Sequence, residues 1–575
     1  MNDGEFLVVD ASTDHKGNVP LRSQTGLWRA SLFIIAIEFS ERLSYYGLSA
    51  SLIIYLTKVL HQDVTSAAKN VNYWTGVTIL MPLLGGFVAD SYLGRFSTVF
   101  ISSVIYILGL GLLTMSQFIP AFKPNVSIRR HKLIFFIALY LISVGTGGHK
   151  PALESFGADQ FDGNHSEERK QKMSYFNWWN AAVCAGVIFG VTVIVYVQDN
   201  VGWGAADVIL MLTMAFSLAV FCSGRRYYRY YVVPEDGPFV PLLQVVTAAI
   251  AKRHLTLPSD PSDLHEIPTL DGTNILLRHT KKLSFLDKAA IVEAEKGGDR
   301  NEEEGGTSER KSRRSSWRLT TVSQVEDLKL IIWLIPIWLT TQPYGLIVAQ
   351  SSTFFIKQCS VMNRKLTASL EIPAASMFVL GSIGMISSIS IYDKIVVPFL
   401  RSITGNERGM SILRRIGIGM VISNLAVAIA ALVENRRLMK KERSEIMNVF
   451  WLVPQFFILG FGDGLALVGL QEYFYEQIPN KMRSLGIAFY LSVIGCASFS
   501  SGFLIDAVGA VTRRIGTNDS SWFGKDLNSS RLDYFYWLLV VINGLNIFVY
   551  AFVSRNMDHR SILQTPSQKP SRSTP

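Results

Sequence analysis

Long apolar runs alternate with short polar stretches along most of this chain of 575 residues. Hydrocarbon offers no hydrogen-bond partner to a backbone N–H or C=O group, so a segment that crosses a bilayer forms a helix of roughly 20 apolar residues. By this length rule we predict about twelve spanning helices. The first six lie near residues 30–56, 71–91, 98–119, 133–153, 178–197 and 205–223, and the second six near 327–350, 371–391, 411–433, 447–470, 484–505 and 533–554.

A polar stretch without a spanning run separates the two sets of helices. It contains an acidic cluster followed by a basic one, and we predict that Lys281–Gly297 forms an amphipathic helix while much of the rest is disordered. The predicted regions are an N-terminal tail (1–29), a six-helix half (30–223), a linker (224–326), a second six-helix half (327–554) and a C-terminal tail (555–575). Two similar halves are typical of secondary transporters.

Composition agrees with a multi-pass membrane protein. Hydrophobic residues make up 49% of the chain and charged residues 17%, whereas soluble proteins carry about 25% charge. No cleavable signal peptide is predicted, so the first span acts as the insertion signal. The sequence has no phosphate-binding loop of the form G-x-x-x-x-G-K-[ST], so we do not expect transport to be driven by ATP. The four cysteines lack metal-ligand spacing, and no feature of the sequence indicates nucleic-acid binding.

The distribution of basic residues gives the expected orientation. An even number of spans places both tails and the linker on one face, and their many Lys and Arg residues favour the cytosol. The short loops alone favour the opposite orientation. We expect the tails and linker to be cytosolic, in a protein of the plasma membrane or the vacuolar membrane.

Charged residues inside the first span are the strongest candidates for function, because each is costly there unless it is paired or faces a cavity. Glu38 shares a helix face with both Glu41 and Arg42. Two carboxyl groups beside one guanidinium leave one acid unbalanced, which predicts a proton acceptor. The alternative is a static buried ion pair. Tyr45 and Tyr46 follow one turn later and either line the same cavity or lie at the membrane interface.

Two further ionisable residues interrupt apolar runs. Lys150 lies beside glycines in the fourth span and is expected to meet Glu38, Glu41 or an anionic substrate, unless it extends to the membrane surface instead. Its neighbour His149 is more simply a structural residue. Asp463 lies well inside the tenth span between two glycines, which predicts that it faces an aqueous path.

A short pattern joins the second and third spans. Asp90, Gly94 and Arg95 occupy the turn between these helices, and this spacing fits a latch that helps to set the equilibrium between inward- and outward-facing states. The alternative is a plain turn.

The linker also contains a candidate regulatory site. Ser315 and Ser316 follow two arginines, a basic context that many kinases use, and a phosphate adds about −1.5 to −2 charge. We therefore expect a kinase as a partner of this segment.

Several motifs in the right order resemble the proton-dependent oligopeptide transporter family of the major facilitator superfamily, and most closely its plant nitrate/peptide transporter branch. They extend over nearly the whole chain. The motifs are Glu38-x-x-Glu41-Arg42 with Tyr45-Tyr46-Gly47, DSYLGRF at 90–96, GTGGHKP with FGADQFD at 145–162, YFNWWN at 175–180, FLDKAAI at 285–291 and YFYEQIPNKMRSLG at 473–486.

The resemblance implies an all-α membrane protein with twelve helices in two six-helix halves, which transports by alternating access and is driven by the proton gradient without a cofactor. It implies that Glu38, Glu41 and Arg42 couple protons and that Lys150 joins them. Asp463 then takes the place of an acidic substrate-site residue.

Four positions depart from the pattern of this family. Ser49 stands where peptide carriers commonly have a second arginine, and Cys184 where an asparagine is expected in the fifth span. Asp463 is one methylene shorter than the usual glutamate. The histidine that is linked to nitrate binding in one type of branch member would fall near position 348 of this sequence, which is a valine, Val348. These changes weaken two assignments, a general dipeptide substrate and nitrate held by that histidine.

Three functions remain open at this point. The first is a proton symporter for a small polar or anionic solute such as nitrate, a peptide or a plant metabolite or hormone. The second is a receptor that senses a solute, with or without transport. The third is a channel-like facilitator. The acid, acid and arginine of the first span, together with Lys150, favour the symporter.

Overall fold

The structure is a computed structural model. It describes residues 8, 12–124, 126–162, 165–231, 240–257, 264–265, 283–292, 317, 319–367, 371–404, 409–478, 483–515, 521–524 and 526–564. The described residues are almost entirely helical, with one short antiparallel pair of strands, β1 (Ser12–Thr13) and β2 (Tyr230–Tyr231). The predicted sites Ser315 and Ser316 lie outside the described residues.

Among the described residues, twelve long helices each overlap one predicted span. They are α1 (Leu27–Ser49), α2 (Val64–Leu93), α3 (Arg95–Phe118), α4 (Ile128–Ala158), α5 (Glu167–Asn200), α6 (Trp203–Ser223), α7 (Val322–Val348), α8 (Ala374–Ile403), α9 (Ile412–Glu442), α10 (Val453–Gln477), α11 (Arg483–Ile515) and α12 (Leu532–Gln564). Among the described residues, 11 helices are long and apolar enough to span a membrane by composition alone. The twelfth long helix, α1, does not meet this criterion, and it contains the charged residues Glu38, Glu41 and Arg42 of the first span.

Side chains at the helix starts explain several of the boundaries. The Asp63 carboxylate accepts a hydrogen bond from the Ser66 backbone N–H at 2.9 Å, which satisfies a free donor at the start of α2. Thr321 and Gln324 form a reciprocal capping box at the start of α7. Polar residues in the short loops therefore fix where the apolar helices begin.

The first predicted span, 30–56, is interrupted. Helix α1 ends at Ser49, and a separate short helix follows at Leu52–Lys58. The Ser51 hydroxyl lies at the break and donates to the Gly47 carbonyl at 3.0 Å, so it offers this carbonyl a local partner in place of solvent. The hydrophobic pattern alone did not reveal this break.

Equivalent helix contacts recur in the two halves. Helices α2 and α4 approach so closely that a Cβ on Gly85 would overlap the backbone of Gly147. In the second half, α8 and α10 meet in the same way at Gly381 and Gly460. Small residues permit such close packing in membranes. Helices six apart in order thus play matching roles, as expected for two similar halves.

The two halves contact each other mainly through α2 and α11. Asn72 donates to the Ser501 hydroxyl at 3.0 Å, and Lys69 lies 2.5 Å from the Asp506 carboxylate. These contacts lie towards the face where α2 begins. We call the other face, at which α1 begins, α6 ends and α7 begins, the linker face. The halves are therefore joined at the face opposite the linker.

Part of the linker packs on the linker face, and the prediction for Lys281–Gly297 is wrong over the residues that the structure describes. Residues 283–292 form turns and a 3-10 helix at Asp287–Ala290 instead of an amphipathic α-helix. Leu283 has a positive φ of 53°, and the Asp287 carboxylate lies 2.6 Å from the buried Lys329 ammonium of α7. This tertiary ion pair fixes a local turn. The linker does contain an α-helix, at Val240–Ala251.

The tails are also partly ordered. The pairing of β1 with β2 joins the N-terminal tail to the segment after α6. Helix α12 continues to Gln564, beyond the end predicted at residue 554. The helical halves are thus slightly longer at both ends than hydrophobicity alone indicates.

Candidate transport site

The charged residues of α1 form one buried cluster. The Arg42 Nε lies 2.8 Å from a Glu38 oxygen and 2.9 Å from a Glu41 oxygen. Glu38 is 3% exposed and Glu41 is 0% exposed. The Thr146 hydroxyl of α4 donates to the other Glu41 oxygen at 3.2 Å. The spacing along α1 thus brings two carboxyl groups to one guanidinium, as predicted.

Not every charged group of the α1 cluster has a hydrogen-bond or ion-pair partner in the described part of the chain. The Arg42 Nη2 is buried and has no hydrogen-bond partner among the described residues. Lys150 is half-buried and interacts electrostatically with Glu38, Glu41 and Arg42, but forms no ion pair within 4 Å in the described part of the chain. Two cationic groups therefore remain available to an anionic group that enters the site.

His149 has a structural environment. Its ring is buried, and its Nε2 lies 2.6 Å from the Ser103 hydroxyl of α3. This contact joins α3 to α4. Lys150, the next residue, is the one that approaches the cluster.

Tyr46 lies where the two halves meet, and Tyr45 packs beside it in the N-terminal half. Their rings meet edge to face with centroids 5.1 Å apart, and Tyr45 stacks on Trp74 of α2 at 5.7 Å. Tyr46 lies 6.3 Å from the ring of Phe378 in α8. Aromatic rings from both halves thus form one wall next to the charged cluster.

Asp463 lies in the facing half. Its carboxylate accepts a hydrogen bond of 2.6 Å from the Tyr344 hydroxyl of α7. The flanking Gly462 and Gly464 pack against α9 and α8, where a Cβ would collide with Ser423 or with the backbone of Met385. The two glycines pack on α8 and α9, while the Asp463 side chain between them meets Tyr344 of α7.

Tyr490 of α11 connects the two sides of the site. It interacts electrostatically with both Asp463 and Tyr46. Sequence analysis singled out neither Tyr344 nor Tyr490, because a tyrosine within an apolar run carries no charge to mark it. For Tyr344, the available signal was its position one turn before Val348, which was already considered as a substrate-site position.

The predicted latch is only partly described. Gly94 has φ 74°, a backbone conformation that favours glycine, and it marks the turn between α2 and α3. Arg95 forms an ion pair with Asp159 at the end of α4. Asp90 belongs to a π-helical turn at Ala89–Leu93, and its side chain lies outside the described residues. The partner of Arg95 on α4 was not predicted.

Other candidate positions add little chemistry. Cys184 is exposed and interacts electrostatically with Tyr46, so the position where the family expects asparagine lies near the site. Within the described ranges, no group of three His, Cys, Asp or Glu side chains is placed to hold a metal ion.

Comparisons with known proteins agree with this arrangement. A family model described as PTR2, POT family, matches residues 96–523. The chain is similar to NRT1/PTR FAMILY 5.6 of Arabidopsis thaliana, with 54% identity over 574 residues that cover 99% of this chain and 97% of that protein. It is also similar to NRT1/PTR FAMILY 5.7 of Arabidopsis thaliana, with 53% identity, 98% of this chain and 93% of that protein.

Solved structures show the same fold. An auto-inhibited POT family peptide transporter aligns with a TM-score of 0.67 and 19% identity, over 95% of this chain and 99% of that one. The POT family transporter PepTSo aligns with a TM-score of 0.69 and 17% identity, over 93% of this chain and 99% of that one. At these identities the likeness concerns the fold, which is the twelve-helix major facilitator arrangement predicted from the sequence.

Proposed function

Because this chain belongs to the POT family of membrane transporters, we propose that it is a proton-coupled symporter of a small polar or anionic solute. Nitrate, a peptide and a plant organic metabolite or hormone are the candidate classes. The observation that carries the proposal is the unsaturated cluster on α1, in which two buried carboxyl groups share one guanidinium.

Proton coupling follows from the charge balance of this cluster. With both carboxyl groups ionised, Glu38 and Glu41 carry one more charge than Arg42 neutralises, so a proton or a cationic group is favoured at the site. Lys150 interacts electrostatically with these carboxyl groups but forms no ion pair within 4 Å in the described part of the chain, so protonation of a carboxyl group leaves Lys150 available to an anionic substrate group. Proton and substrate thus act on the same charges, so the binding of each alters the affinity for the other.

The position of Asp463 supports a site that is shared between the halves. Its carboxylate and the Tyr344 hydroxyl face the N-terminal half through Tyr490 and Tyr46. Rocking of the two halves around such a central site exposes it to one side of the membrane at a time. Contacts such as Lys69 with Asp506 join the halves at the face opposite the linker, which supports a site that opens to the linker face in this state.

We propose that the linker face is cytosolic, in either the plasma membrane or the vacuolar membrane. The basic residues of the tails and linker favour this orientation. The proposal includes the latch of Asp90, Gly94 and Arg95, together with regulation by a kinase at Ser315 and Ser316.

A solute-sensing receptor is the second candidate, and a channel-like facilitator is the third. A receptor needs a binding site but no net flux, and a facilitator needs no proton. The unbalanced acids of α1 favour coupled transport over both, because neither alternative gives them a use.

A substrate panel separates these functions. Oocytes that express the protein are clamped at two external pH values while nitrate, alanyl-alanine and a carboxylate plant hormone are supplied in turn. A symporter gives substrate-dependent inward current that grows at acidic pH. A facilitator gives uptake that follows the substrate gradient at either pH, and a receptor gives binding without uptake.

A further inference from the structure

Arg415 of α9 is a buried arginine that contacts α10 at two points. Its Nη1 donates to the Glu472 carboxylate and its Nη2 donates to the Gly464 carbonyl, each at 3.2 Å. These two acceptors lie about two helical turns apart along α10. The guanidinium also lies over the ring of Tyr392 in α8, 4.2 Å from its centroid. One side chain, only 7% exposed, thus joins α8, α9 and α10.

One of the two contact points lies next to Asp463, in a stretch of α10 that is rich in glycine. Gly460, Gly462 and Gly464 let α10 approach α8 and α9 so closely that a Cβ at any of them would collide with a neighbouring helix. Glycine is also the weakest helix former apart from proline. The helical conformation around Asp463 therefore depends on contacts from outside α10, and Arg415 supplies a charged hydrogen bond there.

Arg415 supports this stretch without neutralising Asp463. The Asp463 carboxylate accepts its hydrogen bond from the Tyr344 hydroxyl of α7 at 2.6 Å. The ion pair of Arg415 is with Glu472, and Asp463 has no ion pair within 4 Å in the described ranges. The contact at the adjacent Gly464 carbonyl can therefore fix where the Asp463 carboxylate points, while the charge of that carboxylate stays available to a substrate.

Lys150 holds the matching place in the first half. It follows Gly147 by three residues, as Asp463 follows Gly460, and these glycines form the close contacts of α4 with α2 and of α10 with α8. Lys150 also has support from the third helix of its half, because the adjacent His149 contacts a serine hydroxyl of α3 at 2.6 Å. In both halves, the third helix thus holds the residue beside a charged side chain of the fourth helix.

We propose that Arg415 is a positioning residue, which holds α10 so that the Asp463 carboxylate meets the positive group of a substrate. This inference rests on the proposed symport and on the place of Asp463 in its substrate site. Arg415 acts through the backbone next to Asp463, while Glu472 and Tyr392 hold its guanidinium in place. Substrates with a positive group therefore depend on Arg415, and substrates without one do not.

Arg415→Lys tests this role. The variant keeps the charge, but an ammonium is a point donor and cannot span the Gly464 carbonyl and the Glu472 carboxylate as the planar guanidinium does. Uptake of labelled alanyl-alanine, which carries an ammonium group, and of nitrate, which does not, is measured over a concentration series in oocytes with an inward pH gradient. We expect the KM of alanyl-alanine to rise about tenfold, because the loss of one hydrogen bond to a charged group has an effect of this order. The KM of nitrate, and the Vmax of both probes per surface protein, should stay at the wild-type level.

Arg436→Lys is the matched control. Arg436 lies on the same helix, with its guanidinium over the ring of Trp451 at the same 4.2 Å from the centroid, but near the other end of α9. The same change there should leave both KM values unaltered. Glu472→Gln is a second test variant at a partly exposed residue, and it removes the charge that holds Arg415. It should also raise the KM of alanyl-alanine and leave that of nitrate unchanged, by a smaller factor than Arg415→Lys.

An unchanged KM of alanyl-alanine in the variants that reach the membrane overturns the positioning role and leaves the proposed symport intact. Equal rises in KM for both probes, a fall in Vmax alone, or the absence of both variants from the membrane also overturn it, because Arg415 then supports the whole site or the fold. Wild-type uptake of nitrate without alanyl-alanine overturns it as well, since Asp463 then meets no positive group. If wild-type uptake of neither probe depends on the pH gradient, the positioning role and the symport of these probes fall together.

Discussion

Two of the buried clusters of acid and arginine in the described part of the chain differ in how completely their groups are paired. In α9, Arg437 donates two hydrogen bonds of 2.7 Å to the two oxygens of Glu434. Its remaining nitrogen donates to Asn528 at 2.7 Å, and Gln358 donates to Glu434 at 2.7 Å. One acid meets one base, and every charged group has partners.

The cluster of α1 is built differently. Glu38 and Glu41 compete for Arg42, one nitrogen of Arg42 has no partner in the described structure, and Lys150 stands nearby without an ion pair in those ranges. A saturated pair at membrane depth fixes helix packing, whereas an unsaturated set can exchange a proton or bind a ligand. The comparison favours a structural role for the α9 pair and supports the proposed coupling role of the α1 cluster.

The largest effect on stability is expected in the α9 pair. Glu434→Gln leaves the Arg437 guanidinium buried without its counter-charge, and breaking a buried pair in this way costs about 3–5 kcal/mol. We expect little folded protein, measured as the monodisperse fraction in size-exclusion chromatography of detergent extracts. Glu41→Gln is the matched substitution in the α1 cluster and should leave a folded protein. Equal loss of folded protein in both would remove the distinction between the clusters.

The next prediction concerns Asp463, which faces the α1 cluster from the other half. Exposure of an acid to lipid costs at least ~2.5 kcal/mol on insertion scales, so Asp463 should face the central cavity. Asp463→Asn keeps the shape and the hydrogen bond from Tyr344 while it removes the charge. Uptake of labelled substrates that do and do not carry a positive group is the measurement.

Each outcome of this substitution has a distinct meaning. Loss of uptake only for substrates with a positive group assigns Asp463 to substrate binding, and this is the expected result. Loss for every substrate, with exchange retained, assigns Asp463 to proton coupling. Unchanged uptake and exchange would show that Asp463 is structural and that the site lies elsewhere.

A smaller effect is expected at the contact that closes the face opposite the linker. Lys69 and Asp506 are partly exposed, and such pairs contribute about 0.2–1 kcal/mol. Lys69→Gln should therefore shift transport rates only modestly, by favouring the state that is open on that face. The double exchange Lys69→Asp with Asp506→Lys should restore the wild-type rate. A rate that stays altered in the double variant would show that the ion pair does not control closure.

The smallest effect is expected from the two serines of the linker. Replacement of Ser315 and Ser316 by alanine removes the candidate phosphorylation sites and should change the amount of protein at the membrane or its activity, without a change in substrate preference. Surface labelling and uptake in the same cells measure both quantities. No change in either would count against regulation at these serines.

The sequence predicted most of the fold, because the bilayer imposes a length and a composition that each helix must satisfy. It also predicted the α1 cluster, since charges at positions 38, 41 and 42 stand out in an apolar run. It did not predict the turn at residues 283–292, which depends on an ion pair between Asp287 and the distant Lys329. Local pattern carries no information on such a contact.

The missed site residues have a different cause. Tyr344 and Tyr490 are neutral, and their importance lies in what their hydroxyl groups approach once the helices have packed.

The most direct test of proton coupling in α1 uses Glu41→Gln. Net uptake driven by a pH gradient and exchange at equal pH are measured in the same oocytes, after surface labelling has shown that the protein reaches the membrane. The variant should lose pH-driven accumulation while exchange persists, because the amide resembles the protonated acid in shape but cannot release a proton. Undiminished proton-dependent accumulation in a variant that reaches the membrane would contradict the coupling role of the α1 cluster.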